Sequence, residues 1–517
     1  MNFFIAAVLV ALTGFMALSY EMLWARLFSF VSGARANSFG LMLGGYLLGL
    51  ALGSLLAARL CRKDDEPERY RGLLALVVLV AALGGYALIP LSAVLVTVVH
   101  YGFLLVPLVL AATLLGTTLP LISHLAIGPD ERAGARLSYL YIANIVGSSA
   151  GSLLTGFWLM DHFGLVELST ALAVLGISLA MLLRSTAQVE GEWRWLAGAA
   201  VAILAVMLLS PMLHDRLYER LQWKEELAEK DAELGAPYRF AKVYESKSGV
   251  IAIGPDLSIH GGGMYDGYLT LGLHKGSWLI RPYSVSLFHP GPKRVLEIGF
   301  SGGAWANIMV NHPQVESLVG IEINRQYLDV IAEHPTVSPV LQSPKATLLI
   351  DDGRRWMIRN PDARFDAIVI NNTFHFRAYT SNLLSVEFME MVRDHLAPGG
   401  IYLFNATGSK DAHQTAMSVF PYTMMVINNV VASMQPFDYD PQRWLSVLEQ
   451  YRLGEAPLID LDTEDGQALR AWLEWVATNI DVEDEVTGQV VISSRERMQV
   501  QSADGEVVTD DNMETEY

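Results

Sequence analysis

The feature that most constrains this fold is a series of seven long apolar segments in the first 212 residues. They lie at 3–25, 37–60, 72–97, 101–126, 137–160, 164–184 and 194–212. Each is close to the ~20 residues with which a helix crosses the hydrocarbon core of a bilayer. Lipid offers no hydrogen-bond partners, and a helix satisfies its own backbone groups. We therefore predict an all-α polytopic membrane domain over residues 1–212.

Small residues recur at helical spacing in two of these segments. Gly45, Gly49 and Gly53 are four residues apart in the second segment, and Gly147 and Gly151 have the same spacing in the fifth. Small side chains at this spacing allow two helix backbones to approach closely. The pattern predicts ordinary packing of a helical bundle and does not require a transport pore.

Charge separates the two halves of the chain. Residues 1–212 contain 11 basic and 11 acidic residues, whereas the remaining residues contain 25 basic and 43 acidic ones. The net charge of −18 therefore belongs to the C-terminal part, which disfavours nucleic acid as a partner. The single cysteine, Cys61, excludes a disulfide or a cysteine-based metal site within one chain. We expect no metal.

The C-terminal part changes from hairpin-like to alternating patterns along its length. We predict a connector at 213–237, a small β-rich lead-in at 238–290, a nucleoside-binding domain at 291–480 and an acidic tail at 481–517, with partial order of this last stretch against the domain as the alternative. Within the domain, strands are predicted at 294–298, 317–321, 346–350, 366–371 and 400–404, with helices between them. Strand–helix alternation of this kind predicts an α/β, Rossmann-like fold with a parallel sheet.

A glycine turn or a carboxylate follows each of three successive strands of the predicted sheet. The first strand runs into the glycine turn of Val295-Leu-Glu-Ile-Gly-Phe-Ser-Gly-Gly303, the second ends at Glu322, and the third is followed by Asp352 and Gly353. The carboxyl ends of parallel strands meet at one edge, where nucleosides bind. Backbone N–H groups of the turn would face the ligand and Glu322 would hold the ribose hydroxyls. An Asp-Gly turn after any strand is the alternative for Asp352.

These motifs together resemble the spermidine synthases (polyamine aminopropyltransferases), and most of all the branch fused to an N-terminal multi-pass membrane domain. The resemblance includes Gly320-Ile-Glu-Ile-Asn324, Phe365-Asp-Ala-Ile-Val-Ile370 and Leu396-Ala-Pro-Gly-Gly400, and in the membrane half Tyr20-Glu-Met-Leu-Trp-Ala-Arg26. It implies the fold shared with class I methyltransferases. It also implies decarboxylated S-adenosylmethionine or S-adenosylmethionine as cofactor, with methylthioadenosine as product.

The resemblance also implies roles for individual residues of the glycine turn and the strand ends. Gly299 and Gly303 would line the cofactor turn, in which Ser301 replaces the usual middle glycine. Glu322 would bind the ribose, and Asp352 with Gly353 would contact the adenine.

Departures from the family pattern concentrate where the amine is activated. Asn371 stands where the family has an acid after the fourth strand, and an amide can orient an amine but cannot take its proton. His375, four residues later, is the candidate base. The Tyr-His-Glu segment of the family is missing, and Arg281-Pro-Tyr-Ser284 lies in that region, with Tyr283 a candidate substrate contact. Asp266 and His274 are further candidates in the lead-in.

The function we infer is that of a membrane-anchored S-adenosyl-type transferase. It would move an aminopropyl or methyl group from a sulfonium donor to an unidentified acceptor, a small-molecule amine or a membrane-borne molecule. The alternative is a non-catalytic nucleoside-binding sensor or scaffold that has lost the amine-activating acid, for which Asn371 argues. A transporter with a regulatory domain is a third hypothesis, but apart from Glu21 the apolar segments lack intramembrane charges.

Localisation follows from the apolar segments and the ligand. We predict a multi-pass protein of the inner membrane, in contact with lipid, with a homodimer as the expected oligomer. The basic loop after the second segment (Arg59, Arg62, Lys63, Arg69 and Arg71) favours a cytoplasmic position for that loop, and an odd number of spans then places the C-terminal domain outside. A domain that uses an adenosyl cofactor should instead face the cytosol, where such cofactors are made. We therefore predict a cytoplasmic C-terminal domain.

Overall fold

The computed structural model describes residues 1–61, 67–185, 192–371 and 374–512. The chain divides into two compact units, residues 1–255 with 261–264, and residues 256–260 with 265–517. The division therefore assigns the connector predicted at 213–237, and the start of the β-rich lead-in, to the N-terminal unit. Residues 62–66 of the basic loop and residues 513–517 of the predicted tail lie outside the described residues.

The N-terminal unit is a bundle of apolar helices. Its helices are α1 (Phe3–Val31), α2 (Ala36–Leu60), α3 (Pro67–Leu95), α4 (Leu105–Gly116), α5 (Thr118–Ala126), α6 (Ala133–Phe157), α7 (Leu165–Ser185), α8 (Glu192–Leu213), α9 (Leu217–Trp223) and α10 (Leu227–Leu234). Within the described residues, seven helical stretches are long and apolar enough to cross a membrane, of which 101–126 combines a 3₁₀ turn with α4 and α5. The seven predicted segments are confirmed.

The glycine repeats mark the closest helix contacts of the bundle. A Cβ added at Gly147 would lie 1.9 Å from the carbonyl oxygen of Ala11, so α1 and α6 pack backbone against backbone. A Cβ at Gly53 would lie 2.1 Å from the carbonyl oxygen of Thr113, which brings α2 against α4 in the same way. These glycines therefore serve helix packing, as their spacing predicts.

Short strands follow the bundle. Strands β1 (Lys242–Ser246) and β2 (Gly249–Ile253) form an antiparallel hairpin in which Lys242 faces Ile253. Strands β3 (Ser258–Gly261) and β4 (Met264–Tyr268) come next along the chain. The β-rich lead-in is confirmed.

The second unit is built on an eight-stranded mixed sheet. Its strands are β5 (Arg294–Ile298), β6 (Ser317–Glu322), β7 (Ala346–Ile350), β8 (Phe365–Ile370), β9 (Leu396–Asn405), β10 (Tyr422–Val426), β11 (Asn429–Ser433) and β16 (Ile492–Ser493), in the spatial order β16-β10-β11-β9-β8-β5-β6-β7. Strands β5 to β9 are parallel, and β10 and β11 run antiparallel to their neighbours. Two-residue strands β12 (Arg452–Leu453), β13 (Ala456–Pro457), β14 (Glu483–Asp484) and β15 (Gln489–Val490) form two small ribbons.

Helices connect these strands. They are α11 (Ile280–Tyr283), α12 (Val285–Phe288), α13 (Ala304–Asn311), α14 (Gln326–Glu333), α15 (Gly353–Arg359), α16 (Val386–His395), α17 (Lys410–Val419), α18 (Pro441–Gln450), α19 (Glu464–Thr478) and α20 (Arg495–Gln501). Several start at the side chains that favour helix N-termini: Ser385 accepts a hydrogen bond from the Phe388 amide, and Ser409 one from the Ala412 amide. The predicted α/β class is confirmed, with all five predicted strands in place.

The order of the parallel strands fixes the place of a ligand crevice. From β5 the chain moves outward through β6 and β7, then returns to β8 on the other side of β5. The carboxyl ends of β5 and β8 therefore flank the point where the strand order reverses, which is where open α/β sheets bind their ligands. The glycine turn after β5 begins at this point.

The C-terminal segment differs from the predicted acidic tail. Residues 481–512 pack on the second unit: Ile492 pairs with Val426, and Val508 is fully buried with its amide donating to Thr415 Oγ1. Asp510 is held by Arg354 in an ion pair. The sequence does not indicate this packing, because the apolar residues of the segment are scattered among many acids and their partners are distant in the chain.

Candidate active site

The turn after β5 has the backbone that its glycines suggest. Gly299 and Gly303 have φ angles of 79° and 78°, in the left-handed region that glycine adopts without strain. The Gly299 amide donates to the carbonyl of Ile321, and a Cβ on Gly299 would come within 3.3 Å of the carbonyl oxygen of Asn371. Ser301 also has a positive φ, 46°, although it carries a side chain. The turn therefore approaches the ends of β6 and β8 closely.

Glu322 is the carboxylate at the end of β6, and it faces this turn. Its Oε2 accepts a hydrogen bond from the Ser301 amide at 3.1 Å, and its Oε1 accepts one from the Asn324 amide at 3.0 Å. The side chain is only 6% exposed. Burial raises the pKa of Glu322 to about 7, and the nearby charge of Asp266 acts in the same direction, whereas the two amides oppose it. Glu322 thus joins the glycine turn to β6.

Asp352 and Gly353 lie where β7 leads into α15. Asp352 is the N-cap of α15 and accepts a hydrogen bond from the Arg355 amide at 2.7 Å. A Cβ on Gly353 would lie 2.5 Å from Ile298 Cγ2, so this position packs closely against β5. The structure thus gives Asp352 a capping role, and its contact with an adenine stays a prediction.

A cavity of about 530 Å³ opens beside the glycine turn. Four of the predicted site residues line it: Asp266, His274, Ser301 and Asn371. Its other described walls are largely aromatic, with Tyr265, Tyr268, Trp278, Phe300, Trp305 and Phe374. The remaining predicted residues, Gly299, Gly303, Glu322, Asp352, Gly353, Tyr283 and His375, are not among its lining residues.

Asp266 connects the cavity with the glycine turn. Its Oδ2 accepts a hydrogen bond from Ser301 Oγ at 3.2 Å and another from the Tyr327 hydroxyl. Burial raises the pKa of Tyr327 well above its usual value, and Asp266 adds to the effect, so this phenol remains a donor. The predicted substrate contact Asp266 is thus a half-buried carboxylate fixed beside Ser301.

The two candidate catalytic residues have different positions. Asn371 follows β8 directly and lines the cavity. His375 is half-buried, and its Nδ1 has no hydrogen-bond partner among the described residues. Burial lowers the pKa of His375, so a neutral imidazole is favoured. The structure brings Asn371, and not His375, to the cavity wall.

Tyr283 is part of the core rather than of the cavity. It is fully buried, its hydroxyl donates to the carbonyl of Leu271 at 2.8 Å, and its ring contacts that of Tyr451. The observed position of Tyr283, in the core, therefore differs from the position that a substrate contact would need. Tyr283 was a candidate only because its segment lies where the family has Tyr-His-Glu. Position in the sequence carries no information on the direction of a side chain.

Two charged residues of this region were not predicted as site residues. Arg281 lines the cavity and is 7% exposed. Glu297, on β5, is fully buried, and neither of its carboxyl oxygens has a hydrogen-bond partner among the described residues. Burial raises the pKa of Glu297 well above its usual value, and the charge of Glu322 adds to this, which favours the protonated form. The apolar run around Glu297 on a predicted parallel strand indicates burial, whereas no local sequence signal distinguishes Arg281 from a surface charge.

Comparison with known proteins gives a family match for part of the second unit. The family model described as "Spermine/spermidine synthase domain" matches residues 283–434, from α11 to β11. The C-terminal unit contains a spermidine synthase domain. The N-terminal unit, in contrast, is helical and apolar.

The proteins that the chain is similar to include polyamine aminopropyltransferases and spermidine synthases. The chain is similar to a polyamine aminopropyltransferase of Mycobacterium tuberculosis, with 25% identity over 422 residues, 77% of this chain and 76% of the relative. It is 34% identical over 119 residues to a spermidine synthase of Dictyostelium discoideum, 23% of this chain and 41% of that protein. A solved spermidine synthase from Thermotoga maritima is 21% identical, with a TM-score of 0.36 over 45% of this chain and 84% of that one.

Proposed function

We propose that this protein is a membrane-anchored transferase that moves an aminopropyl or methyl group from an S-adenosyl sulfonium donor to an acceptor. The observation that carries the proposal is Glu322, a buried carboxylate that accepts the Ser301 amide of the glycine turn. A ribose needs such an acceptor beside bare backbone. The spermidine synthase domain over 283–434 supports the same assignment.

The residues present fit an adenosyl group at this edge of the sheet. Glu322 would accept from the ribose hydroxyls and Asp352 from the adenine amino group, while Gly299, which has no side chain, leaves its backbone accessible to the ligand. The donor would supply a carbon already activated by the adjacent sulfonium. The protein has to orient the acceptor and limit its contact with water, to which a cavity with six aromatic lining residues would contribute.

In the transfer, a nucleophilic atom of the acceptor forms a bond to the carbon next to sulfur while the carbon–sulfur bond breaks and the sulfur leaves as a neutral thioether. Asn371 lines the cavity, where its side-chain oxygen can accept a hydrogen bond from an acceptor amine and orient it. An amide cannot take the proton, so an amine acceptor has to arrive neutral or release its proton to solvent.

The membrane unit supports an acceptor held in or near lipid. Seven helical stretches are compatible with a multi-pass membrane protein. We place the protein in the inner membrane with the transferase domain in the cytosol, where adenosyl donors are made. Protease accessibility on sealed vesicles of known orientation tests the cytosolic position of the C-terminal unit. We expect this unit to be protected in right-side-out vesicles, and its cleavage there would contradict the proposed orientation.

Calorimetry on the purified full-length protein in detergent tests the transferase proposal. We expect methylthioadenosine to bind, and binding to weaken at least tenfold in Glu322→Gln. Release of methylthioadenosine or S-adenosylhomocysteine in the presence of an amine panel would then establish turnover. If neither nucleoside nor sulfonium ligands bind, the proposal is wrong; if they bind without turnover across the panel, the site is a receptor instead.

A further inference from the structure

The cavity beside the glycine turn contains a buried cation, Arg281, which projects from α11. Its guanidinium contacts two indole rings, 5.2 Å from the ring centroid of Trp278 and 5.3 Å from that of Trp305. Burial lowers the pKa of Arg281 to about 10, so the group remains charged at neutral pH. The cavity therefore contains a fixed positive charge.

The hydrogen bonds of this guanidinium are incomplete. Its Nε donates to the carbonyl of Trp278 at 2.8 Å, and its Nη1 donates to the side-chain oxygens of Asn428 and Asn429 at 3.0 and 3.3 Å. These acceptors are all neutral. The Nη2 donors have no acceptor among the described residues, and no described carboxylate forms an ion pair with Arg281.

A buried charge without a counter-charge is unfavourable, and a ligand can remove that cost. The planar guanidinium presents paired donors that match the two oxygens of a carboxylate. Asp266 is the one acid among the described lining residues, and it already accepts hydrogen bonds from Ser301 and Tyr327. The remaining donors of Arg281 are thus available to a molecule in the cavity.

We propose that Arg281 binds a carboxylate of the substrate in this cavity, so that the site prefers a carboxylated ligand to its decarboxylated counterpart. The inference rests on the proposed function, because it takes the cavity to be the substrate site. The carboxylate has two possible sources, the amino-acid end of S-adenosylmethionine or an amino-acid acceptor. Asp266 in the same cavity provides the opposite charge that an adjacent ammonium group requires.

Two matched ligand pairs test the proposal on the full-length protein in detergent. S-adenosylmethionine and its decarboxylated form differ by one carboxylate in the donor, and ornithine and putrescine differ by one carboxylate in the acceptor. Calorimetry should give about tenfold tighter binding for the carboxylated member of at least one pair. The pair that shows the preference identifies the source of the carboxylate.

Variants connect the preference to the guanidinium. Arg281→Gln should abolish the preference and leave methylthioadenosine binding unchanged, because this ligand has no carboxylate. Arg281→Lys keeps the charge but not the paired donors, and should retain part of the preference. Lys275→Gln, which removes an exposed charge close by, should retain all of it.

The proposal fails if neither pair shows a preference in the unmodified protein, or if the preference survives in Arg281→Gln. Should Arg281→Gln not fold, the ligand pairs on the unmodified protein and on Arg281→Lys decide. Failure of the proposed function is distinguishable, since it would remove methylthioadenosine binding itself. Methylthioadenosine binding without any carboxylate preference would refute only the role of Arg281.

Discussion

The ionisation of Glu322 gives a pH dependence of nucleoside binding that can be worked out in advance. Because burial raises its pKa to about 7, the unliganded side chain loses its proton near neutral pH. Only the carboxylate can accept hydrogen bonds from both ribose hydroxyls while holding the Ser301 and Asn324 amides. Binding should therefore select the ionised form, and affinity should rise with pH through 7.

The size of the effect follows from the fraction ionised. With a pKa of about 7, roughly 9% of the protein has an ionised Glu322 at pH 6 and roughly 91% at pH 8. A ligand that binds only the ionised form then binds about tenfold more weakly at the lower pH, a difference of about 1.4 kcal/mol. Methylthioadenosine is the suitable probe because it is uncharged over this range and reports no charge of its own.

Calorimetric titration of the full-length protein at several pH values between 6 and 8 measures this slope. Glu322→Gln should bind more weakly at every pH and lose the slope, since an amide cannot serve both backbone donors and does not titrate. Glu297→Gln is the matched control: burial raises the pKa of this carboxyl and favours its neutral form, so exchange for a neutral amide should leave the slope in place. A flat profile in the unmodified protein, or an unchanged slope in Glu322→Gln, would refute the ribose role of Glu322.

Three further predictions concern packing and chemistry. Gly147→Ala should lower the thermal unfolding temperature of the detergent-solubilised protein, by overpacking worth about 1–3 kcal/mol, whereas Gly156→Ala on the same helix meets nothing closer than 3.6 Å and should be neutral. Asn371→Asp should raise aminopropyl transfer to an amine acceptor of the panel that the unmodified protein uses, by up to about 100-fold if a general base limits the rate, measured as methylthioadenosine release; unchanged turnover would contradict that role. Val508→Asp should destabilise the second unit by about 3 kcal/mol or more in fluorescence-detected unfolding, because Val508 is fully buried, while Val507→Asp at a 39% exposed position should not.

The sequence was informative where local patterns determine structure. Apolar length predicted all seven helical stretches, and strand–helix alternation predicted β5 to β9 because parallel strands are buried on both faces and read as continuous apolar runs. Glu322 could be placed beside the glycine turn since both follow neighbouring strands at the same sheet edge. The packed segment at 481–512 was missed because its contacts, such as Arg354 with Asp510, join residues far apart in the chain.

Side-chain direction was the information that local patterns lacked. Tyr283 and Arg281 are two residues apart on α11, yet one is in the core and the other lines the cavity. The sequence interpretation named Tyr283 as a substrate contact and gave Arg281 no role in the site. The environment of Arg281 depends on Trp278 and Trp305, and only the folded chain brings the second of these beside it.

The charges of the cavity distinguish this site from one built for a polyamine. A polyamine is a polycation, and its recognition requires several carboxylates, but the described walls contain one, Asp266. Neutral amides occupy other polar positions, Asn371, Asn405 and Asn428, and the side-chain oxygen of Asn428 accepts a hydrogen bond from Arg281. A buried guanidinium in such a site repels a second ammonium group. Under the proposed function, the glycine turn and Glu322 would hold the adenosyl donor, and the charge of the adjoining cavity disfavours a simple diamine as acceptor.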